Sequence, residues 1–153
     1  MMPDGRIVDD AIAQACAKMH DRLICWGRLF LRGGKGPRQK WDGDDEREHF
    51  DYKPQQVDDT RVVHMMVTQL PKPQQSILLQ RFYVDDVIAT TWHQMSQFRR
   101  DTVSGLIADD VNKAVRNLNR GIASPWVTIR AEEVDGIRLR AIRMLVNRER
   151  VVL

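Results

Sequence analysis

The stretch "LPKPQQSILLQRFYV", residues 70–84, places two prolines in front of an apolar series with helical spacing. Pro71 cannot continue a preceding helix, whereas Pro73 suits the first turn of the next one, because the N–H it lacks has no intrahelical partner there. We therefore predict a helix that ends at Pro71, a tight turn, and a second helix. The predicted inward residues of this second helix are Ile77, Leu78, Phe82 and Tyr83. Its predicted solvent-facing residues are Gln74, Gln75, Gln80 and Arg81.

The residues that follow predict another pair of helices. We expect Thr90 or Thr91 to cap a short helix over "TWHQMSQF". The next residues, "RRD" at 99–101, are expected to form a tight turn. Asp101 or Thr102 is then expected to cap a longer helix. A short helix, a turn and a longer helix form the layout of the DNA-binding helix-turn-helix. Many helical proteins with no DNA-binding function share this layout. The predicted inward residues of the longer helix are Val103, Ile107, Val111, Ala114 and Leu118, and Gly121 is predicted to end it.

Two more helices are predicted upstream. Apolar residues recur at steps of three or four from Val8 to Phe30, which predicts a long amphipathic helix that the glycines from Gly33 onward end. Asp58 or Asp59 is expected to cap the helix that ends at Pro71. The inward residues predicted for that helix are Val62, Val63, Met66, Val67 and Leu70.

The C-terminal segment allows two interpretations. Asp135-Gly136 is a tight-turn pair that would form a β-hairpin pairing Val134 with Ile137, and this interpretation is slightly favoured as far as Ala141. The same residues also fit one face of a helix. From residue 111 onward, nine lysines or arginines stand against four acidic residues, so this end is basic.

The predicted fold class is therefore mainly α: a helix-turn-helix bundle with a long N-terminal helix, a long polar loop and a C-terminal β-hairpin or helix. The predicted division is 1–31 for the first helix, 32–56 for the glycine-containing loop, 57–121 for the helix-turn-helix core and 122–153 for a basic extension. One principal domain is the expectation for 153 residues.

Composition restricts the class of function. The formal net charge of +3, with both signs abundant, permits a nucleic-acid partner without demanding one. No apolar run has the length of a membrane span and no secretory signal is evident, so the chain is expected in the cytoplasm, away from membranes. Cys16 and Cys25 are expected in the core. Cys16 and His20 have the spacing of two metal ligands on a helix, but no second pair of ligands follows. Neither a metal nor a cofactor is therefore expected.

The residues from 70 onward carry a family resemblance. "LPKPQQSILLQRFYVDD", followed by a short helix, a turn and a longer helix, resembles the promoter-reading domain of sigma factors and of phage regulators built like it. The resemblance implies that Ser96 is the small residue of the helix contact, that Thr102 caps the recognition helix, and that Leu106 is buried one turn in. Arg99 and Asp101 depart from that pattern where apolar residues are usual, and Arg100 stands where the turn usually has glycine.

The first helix narrows the resemblance. "RLICWGRLFLRGGKG", followed by a polar loop and the sigma-like segment, is similar to phage late-gene antiterminators of the Q type over roughly residues 20–120. Without the sigma-like segment, Trp-Gly-Arg would indicate only a core Trp26, a close helix crossing at Gly27 and a solvated Arg28. The family resemblance implies a protein that is not an enzyme and that binds double-stranded DNA near a late promoter. It also implies that the protein engages bacterial RNA polymerase so that terminators are read through.

Two surfaces would carry that function. The expected DNA-binding residues are Arg99, Arg100, Thr102, Ser104, Lys113 and Arg116. The expected polymerase-binding residues are Trp26, Arg28 and Arg32. The alternatives are another sigma-like helix-turn-helix protein, either a promoter regulator or the small subunit of a packaging motor. A small enzyme is disfavoured because no phosphate-binding glycine motif, nucleophile elbow or paired metal ligands occur.

Overall fold

The computed structural model describes residues 4–33, 52–118 and 126–152, which form six α-helices and no strand. The helices are α1 (Asp4–Trp26), α2 (Pro54–Thr68), α3 (Pro73–Tyr83), α4 (Asp86–Thr91), α5 (Gln97–Leu118) and α6 (Val134–Val152). A π-helical turn, Gly27–Leu31, extends α1, and 3₁₀ turns at Trp92–Gln94 and Ala131–Glu133 precede α5 and α6. The predicted mainly α class is confirmed, whereas loop residues 34–51 and the helix end at Gly121 lie outside the described residues. None of the described helices is both long and apolar enough to cross a bilayer.

The same four residues, Lys-Pro-Gln-Gln, begin both α2 and α3. In each case the proline occupies the first helical position, where its missing N–H costs nothing. The prediction that Pro73 opens a helix is confirmed. The prediction that Asp58 or Asp59 caps α2 is wrong, because Pro54 starts this helix about one turn earlier.

Helix α3 is the centre of the fold, since it contacts each of the other five helices. Leu78, Phe82 and Tyr83 are buried as predicted, together with Leu79. The prediction that Gln74 faces solvent is wrong: it is buried, and its side-chain amide donates to the carbonyl oxygen of Val127 at 3.0 Å.

Glycine at position 27 permits a close approach between α3 and the π-helical turn that extends α1. A Cβ atom built on Gly27 would lie 1.9 Å from the carbonyl oxygen of Tyr83, far inside any van der Waals contact. Beside it, Trp26 is fully buried, and its indole N–H donates to Nδ1 of His64 at 3.2 Å. The close approach at Gly27 and the core position of Trp26 agree with the interpretation of Trp-Gly-Arg that leaves out the family resemblance.

A buried polar cluster joins α1, α3 and α6. The Tyr83 hydroxyl lies 2.7 Å from Nδ1 of His20 and accepts a hydrogen bond from the Arg138 guanidinium at 3.2 Å. Arg138 is itself buried and is paired with Asp135 at 2.8 Å. Burial raises the pKa of Tyr83 to about 12, against the opposing effect of Arg138, and burial also lowers the pKa of His20. The cluster therefore favours a neutral phenol and a neutral imidazole.

A second ion cluster fastens α6 to the first two helices. The guanidinium of Arg22 donates to both carboxylate oxygens of Asp59, at 2.7 and 3.0 Å, and to the carboxylate of Glu149 at 2.8 and 2.9 Å. Bidentate geometry of this kind gives arginine–carboxylate pairs their specificity. Because Arg22 lies on α1, Asp59 on α2 and Glu149 on α6, the C-terminal helix belongs to the bundle.

The hairpin that was slightly favoured for the C-terminal segment is wrong, and the helical alternative is confirmed, because residues from Val134 onward form α6. Asp135 and Gly136 lie in the first turn of this helix, where an acidic residue is favoured by the helix dipole. A two-residue hairpin turn of the Asp-Gly type needs positive φ, and Gly33 alone has it among the described glycines. The segment forms a helix and not a hairpin because the helical spacing of its apolar residues buries one face of α6. The buried apolar residues of that face are Val134, Ile137, Ala141, Ile142, Leu145 and Val146.

Candidate nucleic-acid interface

The first helix of the helix-turn-helix is α4, and Asp85 caps it. One carboxylate oxygen of Asp85 accepts hydrogen bonds from the backbone N–H groups of Val87 and Ile88, at 3.0 and 3.1 Å. The prediction that Thr90 or Thr91 caps this helix is wrong, since both lie in its last turn. Their hydroxyls donate back to carbonyl oxygens four residues earlier.

An ion pair ties α4 to the end of the N-terminal helix. The Arg28 guanidinium donates to the carboxylate of Asp86, which is buried at the start of α4. Hydrogen bonding to Asp86 raises the pKa of Arg28. The expectation that Arg28 is solvated is wrong, because an acidic partner at Asp86 takes up its charge. Arg28 thus couples the π-helical turn to the helix-turn-helix.

The turn between the two helices lies at Met95 and Ser96, earlier in the chain than predicted. The Ser96 hydroxyl accepts a hydrogen bond from the backbone N–H of Arg99 at 3.2 Å, so Ser96 caps α5. The predicted turn at 99–101 is wrong, and these residues form the first turns of α5. Thr102 is not the cap, because its hydroxyl donates to the carbonyl oxygen of Phe98 at 3.0 Å inside the helix.

Arg100 holds this turn in place. Its Nε and Nη2 donate to the carbonyl oxygens of Trp92 and His93, both at 2.8 Å, in the 3₁₀ turn that precedes α5. The guanidinium also lies over the Trp92 ring, 5.8 Å from its centroid. Trp92 is buried and packs edge-on against Phe82 of α3 at 5.2 Å between ring centroids. Arg100 is therefore engaged within the protein.

One face of α5 packs on α3. Its buried residues are Ser104, Ile107, Ala108, Val111 and Val115. Ser104 is only 7% exposed, so the expectation that it faces DNA bases is wrong. Three residues of the predicted inward set differ as well: Leu118 is 69% exposed, and Val103 and Ala114 are half-buried.

The opposite face of α5 is exposed along its length. At steps of three and four, the helical period, it carries Phe98, Thr102, Leu106, Asp109, Lys113 and Arg116. Phe98 is 82% and Leu106 67% exposed, so the burial expected for Leu106 is wrong. Arg99 is exposed beside this face. We call the six residues Phe98, Thr102, Leu106, Asp109, Lys113 and Arg116 the outer face of α5.

The charges of the outer face divide along the helix. Lys113 and Arg116 make its C-terminal half basic, whereas Asp109 is acidic at its middle. The adjacent Asp110 is paired with Arg81 of α3 at 2.8 Å, which offsets its charge. The N-terminal half is apolar and neutral, around Thr102.

The structure brings together Thr102, Lys113 and Arg116 of the predicted DNA-binding set, with Arg99 beside them. Sequence reasoning missed Phe98 and treated Leu106 as core. The available signal was the apolar frame of Ile107, Val111 and Val115, spaced by four, which places position 106 outside the buried stripe.

The three residues expected to bind polymerase differ in their environments. Trp26 is buried and Arg28 is paired with Asp86, so both serve the fold. Arg32 is half-buried just after the π-helical turn. Phe30, in that turn, is 45% exposed although its ring stacks on His64 at a centroid distance of 4.0 Å.

Both cysteines are free and half-buried, and burial raises the pKa of Cys25. Within the described ranges, no three His, Cys, Asp or Glu side chains form a group suited to a metal ion.

No family model, curated protein or solved structure matches the chain. The likeness to sigma-like and Q-type proteins therefore rests on the stretches of sequence quoted above.

Proposed function

We propose that this chain is a phage transcription antitermination factor of the Q type. It binds double-stranded DNA near a late promoter and associates with RNA polymerase in the cytoplasm of a bacterial host, so that terminators are read through. The observation that supports the DNA-binding part is the exposure of one whole face of α5, whose other face packs on α3. Helix α5 follows α4 after the 3₁₀ turn Trp92–Gln94 and the two residues Met95 and Ser96. In helix-turn-helix proteins the second helix enters the major groove in this way. The proposal includes no catalytic residue, cofactor or metal.

The N-terminal half of the outer face is assigned to base reading. Phe98 and Leu106 are eight residues apart, about 12 Å along the helix axis, which spans roughly three to four base pairs. Exposed apolar side chains contact the C5-methyl group of thymine, and a threonine hydroxyl bonds base edges. Phe98, Thr102 and Leu106 therefore suit an A·T-rich site better than a G·C-rich one.

The C-terminal half of the outer face is assigned to phosphates. Lys113 and Arg116 are both exposed on the same face, and Arg99 is exposed near the first turn. Phosphate contacts of this kind orient a protein on the duplex without reading its sequence. Arg100 is left out of the DNA-binding set because the 3₁₀ turn uses its guanidinium.

Exposed residues of the π-helical turn and of α2 are assigned to polymerase. Phe30 remains 45% exposed, and Met65 of α2, the residue after His64, is 60% exposed. Exposed apolar side chains of this size suit a protein partner. We include Arg32 with these two residues and exclude Trp26 and Arg28, which stabilise the fold.

Base reading is tested by removing the thymine methyl groups. Selected binding sites are prepared with thymine and with uracil, which lacks the C5-methyl, and the affinity of each is measured by fluorescence anisotropy. The wild-type protein should lose about fourfold in affinity for each contacted methyl that is removed. Leu106→Ala should bind the two duplexes with a smaller difference, whereas Leu118→Ala, at another exposed apolar position of α5, should not change the difference. If the wild-type protein does not distinguish thymine from uracil, the assignment of Phe98 and Leu106 to base reading fails.

Antitermination is tested by transcription with purified bacterial polymerase, on a template carrying the late promoter and a downstream terminator. The wild-type protein should raise terminator readthrough. The double variant Arg32→Ala, Met65→Ser should bind DNA as well as the wild-type protein but should raise readthrough less. Arg61→Ala, Val62→Ser on the exposed surface of α2 is the matched control. DNA binding without any readthrough would contradict antitermination and fit the alternative of a promoter regulator or packaging-motor small subunit.

A further inference from the structure

A cavity of about 570 Å³ lies between α1, α6 and the 3₁₀ turn that leads to α5. Its size falls within the range of small-molecule sites in proteins. Its apolar lining includes Ile12, Cys16, Ala17, Leu139 and Ile142. A wall of this kind favours a ligand with an apolar body.

The ionisable residues of the cavity are mainly basic. Three arginines and two histidines line it, against a single carboxylate, that of Asp21. Two of the basic groups are already engaged: Arg138 with Asp135 and Tyr83, and His20 with Tyr83. The remaining arginines are Arg140 and Arg143 of α6.

The guanidinium N–H groups of these two arginines are available to a ligand. Both are exposed, and neither has a hydrogen bond or ion pair with any described residue. They are three residues apart on α6, so both side chains lie on one side of the helix. Guanidinium groups in this relation match a carboxylate, sulfonate or phosphate group, because each can donate two parallel hydrogen bonds.

We propose that this cavity binds a small organic anion with an apolar body. Arg140 and Arg143 hold its acidic group, and Ile12, Cys16 and Ile142 contact its apolar part. The assignment concerns a site separate from the outer face of α5, and it stands whether or not the protein binds DNA.

A pair of fluorescent probes separates the two parts of this proposal. 1-Anilinonaphthalene-8-sulfonate has an aromatic body and an acidic group, whereas N-phenyl-1-naphthylamine has the same body without the sulfonate. The sulfonate should bind the full-length protein at one site per chain, more tightly than the neutral amine. Equal affinity for the two probes would overturn the assignment of an anionic ligand, and absence of saturable binding of the sulfonate would overturn the site itself.

The arginines are tested by the double variant Arg140→Gln, Arg143→Gln. It should bind the sulfonate about tenfold more weakly, since charge-assisted hydrogen bonds are lost, while its affinity for the neutral amine should be unchanged. The matched control is Lys113→Gln, Arg116→Gln, which removes the same charge from the outer face of α5 and should leave both affinities unchanged. An equal loss in both double variants would mean that the probe responds to net charge, and the proposal would fail.

Cys16 reports occupancy directly, because it lines the cavity and Cys25 does not. In Cys25→Ser protein, alkylation of Cys16 by iodoacetamide should slow at least fivefold when the sulfonate is at saturating concentration. In Cys16→Ser protein, alkylation of Cys25 should continue at its original rate. If the bound sulfonate leaves Cys16 alkylation unchanged, the ligand lies elsewhere and the assignment to this cavity is wrong.

Discussion

The guanidinium of Arg100 lies over the indole ring of Trp92, 5.8 Å from its centroid, and donates to the Trp92 carbonyl oxygen at 2.8 Å. Trp92 in turn is buried against Phe82 of the central helix. The first turn of α5 is therefore fixed to the core through a side chain of its own. Residues on the outer face of α5 thus project from a helix whose N-terminus is held in position.

Loss of this contact should destabilise the protein. Arg100→Gln should lower the free energy of unfolding by about 1–2 kcal/mol, because it removes two charge-assisted hydrogen bonds to carbonyl oxygens. Arg99→Gln, at the exposed neighbouring position, should change it by less than about 0.5 kcal/mol. Urea denaturation followed by circular dichroism measures both, and equal effects would contradict the role given to Arg100.

Gly27 should tolerate no side chain. Gly27→Ala places a methyl group 1.9 Å from the Tyr83 carbonyl oxygen, so the π-helical turn must move away from α3, at a cost of about 3 kcal/mol or more. Gly105→Ala is the control, because no atom outside its own helix segment lies within 4 Å of the added Cβ. That variant should gain about 0.5–1 kcal/mol from the higher helix propensity of alanine. The two melting temperatures should shift in opposite directions.

Two leucines that were both predicted to be buried should behave differently. Leu78 is fully buried, so Leu78→Ala should cost about 2–5 kcal/mol. Leu106 is 67% exposed, so Leu106→Ala should cost less than about 0.5 kcal/mol. A large loss at Leu106 in chemical denaturation would place this residue in the core and remove it from the proposed DNA surface.

Much of the bundle was predictable because apolar periodicity and proline act locally. The apolar period of α1 and the two prolines before α3 predicted both helices, although α1 begins at Asp4, before Val8, and Gln74 of α3 is buried. The C-terminal segment was left open between a hairpin and a helix, with the hairpin slightly favoured, because Asp135-Gly136 is compatible with a hairpin turn and with the first turn of a helix. The choice depends on long-range packing of α6 against α1 and α3.

The candidate site was harder to predict because capping is decided by one or two hydrogen bonds. Ser96, Asp101 and Thr102 are all good caps by residue type, and a shift from Thr102 to Ser96 lengthens α5 by more than a turn. That shift moves Arg100 into a contact with the preceding turn. Leu106 was assigned to the core by resemblance, although the spacing of Ile107 and Val111 indicates otherwise.

The raised pKa of Tyr83 should make stability depend on alkaline pH. Its folded pKa of about 12 exceeds the ordinary value of 10.0, so the folded state binds the phenolic proton more tightly than the unfolded chain. The resulting stability is fully present below pH 10 and is lost as the pH rises toward 12, by roughly 2–3 kcal/mol. Tyr83→Phe should lack this part of the pH dependence. If urea denaturation at pH 9 and at pH 11.5 shows the same decline in both proteins, Tyr83 is not the group responsible.

The most direct measurement of the central proposal is the salt dependence of binding to duplex DNA. Log affinity should fall linearly with log salt, with a slope near −0.9 for each phosphate contact. Lys113→Gln, Arg116→Gln should make the slope shallower by roughly two units. Arg140→Gln, Arg143→Gln, which removes the same charge from the rim of the cavity, should leave the slope unchanged. An unchanged slope in the first variant, or an equal change in both, would contradict the assignment of the outer face of α5 to DNA.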